Sequence, residues 1–202
     1  MKEKPAQKKD KCPKRFMLRT NTEFLIYIDA LYRSNQSEIS LQNFEKDSLL
    51  LRQGEISHRV FVIKEGIAKC FFLEENGKDY ILEFMSKGQV LGEIELIRQI
   101  DCLCNVAALT PLQVYVIPTL VFKELLAKDL TLNKILLEEL AERIINTSSR
   151  ASFQQLYTVE HGLAKLLELQ KKQGIEITKE DMAGYLGITL RSLNRALKGF
   201  AG

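Results

Sequence analysis

The spacing of apolar positions changes period twice along the chain. Residues 22–33, Thr-Glu-Phe-Leu-Ile-Tyr-Ile-Asp-Ala-Leu-Tyr-Arg, predict a short amphipathic helix. From Ser48 to Pro118 the pattern is that of strands, at Ser48–Leu51, Val60–Lys64, Ile67–Leu73, Tyr80–Met85, Leu103–Leu109 and Gln113–Ile117. Each run is short and rich in β-branched, aromatic or Leu residues. Turn residues separate them at Gln53-Gly54, Glu65-Gly66, Asn76-Gly77, Lys87-Gly88 and Thr110-Pro111. Asn76-Gly77 is a strong hairpin signal, because both residues tolerate positive φ. Short strands at regular spacing predict a small barrel or sandwich.

Beyond Pro118 the period becomes helical. Thr119 is placed to cap a short helix through Lys128, and a longer helix is expected over 129–157, where no Gly or Pro interrupts. Such a helix is about 42 Å long at 1.5 Å per residue, more than a small barrel covers. Leu137, Leu140, Ile144, Thr147 and Ala151 recur at 3-4-3-4 spacing and fall on one stripe. Unless that stripe packs wholly within its own chain, it needs a second surface, and a symmetric partner helix is the economical one. Further helices are expected at His161–Gln173, Thr178–Leu186 and Leu190–Lys198.

The last two of these carry a motif. Thr178 and Asp181 have the spacing of a capping box, Met182, Ala183 and Leu186 supply a buried face, and Gly187 can turn at positive φ. Thr189 caps the next helix, whose Leu193, Ala196 and Leu197 face inward and leave Arg191, Ser192, Asn194 and Arg195 outward. The pattern is a helix-turn-helix. A helix end of this composition suits the DNA major groove, where Arg reads guanine, Asn reads adenine and Ser meets bases or phosphates. The candidate DNA-binding residues are Thr178, Thr189, Arg191, Ser192, Asn194, Arg195 and Lys198.

Composition narrows the reading. With 46% hydrophobic residues the chain can bury a core, which excludes global disorder. No apolar run approaches the roughly 20 residues of a membrane span, and no apolar stretch follows the Lys-rich start, so a cytoplasmic protein without membrane contact is expected. Net charge is +3, divided as +6 over residues 1–20, −5 over 21–157 and +2 over 158–202. Basic ends flanking an acidic middle suit a polyanion partner, although a basic tail can equally be a solvated one. No nucleophile–base pair, phosphate loop, paired-His motif or nucleophile elbow occurs, so an enzyme is not expected.

A Gly-punctuated β-roll, a long helix and a helix-turn-helix together resemble the cAMP receptor protein/FNR family of bacterial transcription factors, over roughly residues 21–200. The most specific stretches are Gly88-Gln89-Val90-Leu91-Gly92-Glu93, which resembles the family's phosphate-binding cassette, and Ile177–Lys198. The run Gly92–Ile97 looks most like the YeiL-type branch. Beyond the basic, flexible tail that the charge pattern marks at 1–20, the resemblance implies an α+β chain: a cyclic-nucleotide-binding-type β-roll (jelly-roll) sensor at 21–128, a dimerisation helix at 129–157, and a C-terminal (winged) helix-turn-helix at 158–202. It further implies a homodimer on a palindromic double-stranded operator, with RNA polymerase as a candidate partner.

The sequence departs from that pattern in three places. Family members that bind cyclic nucleotides follow Gly-Glu, about ten residues later, with Arg-Ser, which meets the phosphate; here Leu103 and Cys104 align there. No Arg or Lys lies between Asp101 and Val121, so cAMP is not expected as effector. Gly92, Glu93, Leu103 and Cys104 mark the candidate effector pocket, with Glu93 expected to hold local backbone. Cys102 and Cys104, with Cys70 and Cys12, supply four sulfurs, enough in principle for an iron–sulfur cluster or tetrahedral metal. In a strand, however, Cys102 and Cys104 share one face and read equally as small buried side chains. His58 and His161 are read as surface or packing residues. On the recognition helix the family's Arg-Glu-Thr is replaced by Leu190-Arg191-Ser192, and Arg195 alone matches a base-contacting position by type. The chain stops at Gly202 where the family continues into a wing, so the expectation is a truncated chain or a missing wing. The alternative function is a redox-, metal- or ligand-sensing module whose DNA binding is weak or lost.

Overall fold

The computed structural model describes residues 18–34, 38–74 and 79–200. Cys12, the Asn76-Gly77 turn and most of the basic tail lie outside the described residues. In chain order the elements are β1 (Leu18–Arg19), α1 (Thr22–Ser34), β2 (Ser40–Phe44), β3 (Leu49–Leu51), β4 (Arg59–Glu65), β5 (Ala68–Leu73), β6 (Asp79–Met85) and β7 (Val90–Leu91). There follow α2 (Glu93–Arg98), β8 (Asn105–Ala108), β9 (Leu112–Pro118), α3 (Thr119–Lys128), α4 (Leu130–Leu156), α5 (Val159–Gln173), α6 (Lys179–Leu186) and α7 (Leu190–Phe200).

Two sheets form, ordered β1-β6-β5-β8-β3 and β2-β9-β4-β7. Strand alternation sends successive side chains to opposite faces, so each central strand serves two cores. In β4, Phe61 and Ile63 point between the sheets with Met85, Val106 and Val114, while Val60 and Val62 point outward. That outer face is covered by Phe24 and Ile28 of α1, Phe122 of α3 and Leu132, Ile135 and Leu136 of α4. The outer face of the other sheet is covered too, because Ile67, Ile81, Phe84 and Leu109 pack with Leu163, Leu166, Met182 and Leu193 of the C-terminal helices. The result is a β-roll with helices on both outer faces, an α+β arrangement.

Several expectations are corrected. The strand expected from Leu103 begins at Asn105, and β2, β7 and α2 join the predicted elements. Thr119 does not cap α3: Pro118 occupies the cap position and makes no side-chain cap bond there. Asp129 caps α4 instead, its carboxylate accepting from the Thr131 and Leu132 N–H groups. The Thr178–Asp181 capping box is half formed. The Thr178 hydroxyl accepts from Asp181 N at 3.0 Å, but the Asp181 carboxylate accepts from Lys69 Nζ on β5 at 2.5 Å. That ion pair fastens the helix-turn-helix to the roll. Close backbone approach does the same, since a Cβ on Gly184 of α6 would stand 2.8 Å from the Asp79 carbonyl oxygen.

Candidate functional site

The cassette segment turns at Gly92, whose φ of +87° suits a residue without Cβ; a Cβ there would stand 2.9 Å from the Arg59 carbonyl oxygen. This turn places Glu93 at the first position of α2, where it is 1% exposed. Its carboxylate accepts from Arg143 Nη1, fifty residues on in α4. The carboxylate also accepts from its own backbone N–H, the local backbone role expected of it, and to that the structure adds an ion pair between cassette and long helix. Arg143 Nη2 also donates to the Val90 carbonyl at 3.1 Å, and its Nε lies 3.8 Å from Glu83 Oε1 of β6. Arg19 of β1 completes the network, donating to Glu83 at 2.7 Å and to Glu139 of α4, which also accepts from Asn21 at 2.7 Å.

Burial holds the Glu93 carboxyl above its ordinary value, and the Arg143 guanidinium opposes that rise. For Arg143, burial alone would lower the pKa; the carboxylates of Glu93, Glu83 and Glu139 outweigh it and push the value further up. Three carboxylates (Glu83, Glu93, Glu139) face two guanidiniums (Arg19, Arg143), so the network carries one net negative charge. An anion entering here finds no free cation within this network. Of the other candidate pocket residues, Leu103 is 48% exposed, and its N–H donates to Glu95 Oε1 at 3.0 Å. Cys104 is buried in the inter-sheet core with Cys70 and Cys102. Cys70 Sγ and Cys104 Sγ lie 2.7 Å apart. Among the described residues no three His, Cys, Asp or Glu side chains gather to hold a metal ion.

The second site is the exposed side of α7. Gly187, at φ +68°, makes the turn from α6, and Thr189 Oγ1 accepts from Ser192 N at 3.2 Å to start α7. Leu193 and Ala196 are buried against α5 and α6, which leaves Arg191, Asn194, Arg195 and Lys198 exposed and Ser192 half-buried. Arg191, Arg195 and Lys198 recur at i, i+4 and i+7 and so share one helix face. Thr178 and Thr189 are exposed at the two helix starts.

On α4, Leu137 and Ile144 are 67% and 68% exposed, and Thr147 and Ala151 are also exposed; Leu140 is half-buried against its own chain. The expected stripe is thus partly redirected. Leu130, Leu137, Ile144 and Ala151, at seven-residue spacing, form its solvent-facing edge.

Sequence reasoning missed Arg19, Lys69, Glu83, Glu139 and Arg143. One signal was available: Glu83 is a lone acid in the apolar run Ile81-Leu82-Glu83-Phe84-Met85, and a charge inside a strand of that kind calls for a partner.

A family model described as the cyclic nucleotide-binding domain matches residues 41–129. The chain is 24% identical over 173 residues to the cAMP-activated global transcriptional regulator CRP of Pasteurella multocida, covering 80% of this chain and 83% of that one. It is 23% identical over 167 residues to the anaerobic regulatory protein of Haemophilus influenzae, covering 77% and 65%. Among solved structures, the c-di-GMP responsive global regulator CLP of Xanthomonas campestris superposes with TM-score 0.74 at 15% identity, covering 86% of this chain and 91% of that one. A mutant of CooA from Carboxydothermus hydrogenoformans gives 0.68 at 14% identity, covering 91% and 86%. No helix of the described residues is long and apolar enough to cross a membrane.

Proposed function

From a chain that carries a cyclic nucleotide-binding domain and is homologous to the Crp/Fnr transcriptional regulators, we infer a homodimeric, sequence-specific DNA-binding regulator. The observation that carries this reading is the exposed Arg191/Asn194/Arg195/Lys198 face of α7, opposite the buried Leu193 and Ala196. Such a face presents guanidinium and amide groups to base edges while the apolar side anchors the helix. Arg195→Ala should weaken binding to a selected operator by about 1–3 kcal/mol and relax base preference at one position. Fluorescence anisotropy with the operator and with single-base variants reads both effects, and unchanged affinity and preference would remove Arg195 from base reading.

The roll's effector differs from that of the relative named for cAMP. The network around Glu93 is already net negative, and Leu103 and Cys104 offer no cation to a phosphate. Millimolar cAMP should leave the thermal midpoint and the operator affinity unchanged. A dose-dependent rise in Tm would show that the pocket accepts the cyclic phosphate after all.

A further inference from the structure

Cys70 lies on β5 and Cys104 directly precedes β8, its antiparallel neighbour, in a register that sets Cys70 opposite Val106. Their sulfurs are 2.7 Å apart. That is well inside the roughly 3.5–4.0 Å at which unbonded heavy atoms settle, and longer than the bond of about 2.05 Å in a disulfide. Both thiols are free and buried between the sheets. Cys102 shares the same cluster two residues away, yet the close approach is made by Cys104.

We propose that Cys70 and Cys104 form a reversible disulfide inside the β-roll, a redox modification site that takes a peroxide as its oxidant. The order of events follows from position. Cys104 adjoins the exposed Leu103, whereas Cys70 is held protonated by its hydrogen bond to Cys104 and by burial. Cys104, as thiolate, attacks one peroxide oxygen; the O–O bond breaks, and the departing hydroxide leaves as water with the proton the thiol gave up. Cys70 sulfur then displaces the hydroxyl of the Cys104 sulfenic acid, so that the S–O bond breaks as the S–S bond forms and Cys70's proton leaves in a second water. Two thiols and one peroxide give one disulfide and two waters: the sulfurs lose two electrons and the peroxide gains them. A dithiol reductant reverses the change.

The bond would tie β5 to the loop whose Leu103 N–H is held by Glu95 of α2, the helix that starts with Glu93 and its partner Arg143. The inference rests on the sensing role given to the roll only for this consequence, because bond formation is read without DNA. The test uses a Cys12→Ser/Cys102→Ser chain, which keeps Cys70 and Cys104, treated with stoichiometric hydrogen peroxide and then with dithiothreitol. Intact mass should fall by about 2 Da per chain and recover on reduction. Adding Cys70→Ser should stop the reaction at a dimedone-trappable sulfenic acid on Cys104. Peptide mapping of the oxidised wild-type chain should give a Cys70–Cys104 linked pair. No mass loss from a chain that circular dichroism shows folded, or a bond to Cys12, to Cys102 or between chains, would overturn the proposal.

Discussion

Glu93 is buried at the start of α2 with its carboxylate on Arg143, so each side chain makes the other tolerable away from water. Removing one partner leaves an unpaired buried charge, which costs far more than the intact pair contributes. Arg143→Met should lower stability by about 3–5 kcal/mol, and Glu93→Gln/Arg143→Met should recover most of the loss; chemical denaturation of both variants checks this. The pH dependence has a definite sign. Glu93 titrates above its ordinary 4.5 because it is buried. An acid of that kind contributes stability that is full below its unfolded value and lost as pH rises through the folded one. Without Arg143 the rise is unopposed, so the deficit of Arg143→Met should widen as pH increases above 4.5. A deficit that stays flat with pH would mean that Glu93 is not the group left stranded. None of this pairing was legible in the sequence, where nothing links residues fifty positions apart.

At the scale of elements, legibility followed length and patterning. The 27 residues of α4 carry enough turns for their period to show, and so do the central strands of the roll. The six residues of α2 are less than two turns, and β2, Ser-Leu-Gln-Asn-Phe, is too polar to read as a strand until β9 pairs with it. The capping box failed on one side because Lys69, a distant residue on β5, takes the Asp181 carboxylate. The start of α4 was legible to within a residue, but its cap was not assigned. Asp129 accepts from Thr131 N at 2.8 Å, Leu132 N at 3.0 Å and the Tyr27 hydroxyl at 2.6 Å. These bonds, Tyr27 first, hold its carboxyl below the ordinary 3.8. Asp129→Ala should therefore cost about 1 kcal/mol at neutral pH. For a depressed acid the stabilisation is present above the unfolded value and lost as pH falls through the folded one, so variant and wild type should converge below 3.8. Thermal melts across that range give the answer, and a gap that persists in acid would assign the effect to something other than the ionised cap.

Among the described residues, polar contacts join the helices to the sheets in more than one place. Lys69–Asp181 and the approach of Gly184 to Asp79 fix the helix-turn-helix on one sheet, and Arg143–Glu93 fixes α4 to the cassette. The helix-turn-helix itself was readable from Thr178, Gly187 and Thr189, because local capping and turn chemistry mark it; its docking on β5 and β6 depends on distant residues and was not. What α4 leaves uncovered is the edge formed by Leu130, Leu137 and Ile144, an apolar line on an overlong helix that a second copy would bury. A two-fold dimer sets two α7 helices against two half-sites of a palindrome, so DNA recognition and dimerisation should fail together.

The most direct test is one anisotropy titration, at two salt concentrations, of the wild-type chain and Ile144→Glu against a palindromic duplex selected from a random pool. The wild-type chain should select a two-fold symmetric site and lose affinity steeply with salt, as released counterions require. Ile144→Glu, folded but monomeric by light scattering, should bind the same duplex at least about 100-fold more weakly, since it forfeits the second half-site. Equal operator affinity from a stable Ile144→Glu monomer, or sequence-blind binding by the wild-type chain, would rule out recognition of DNA by a dimer built on α4.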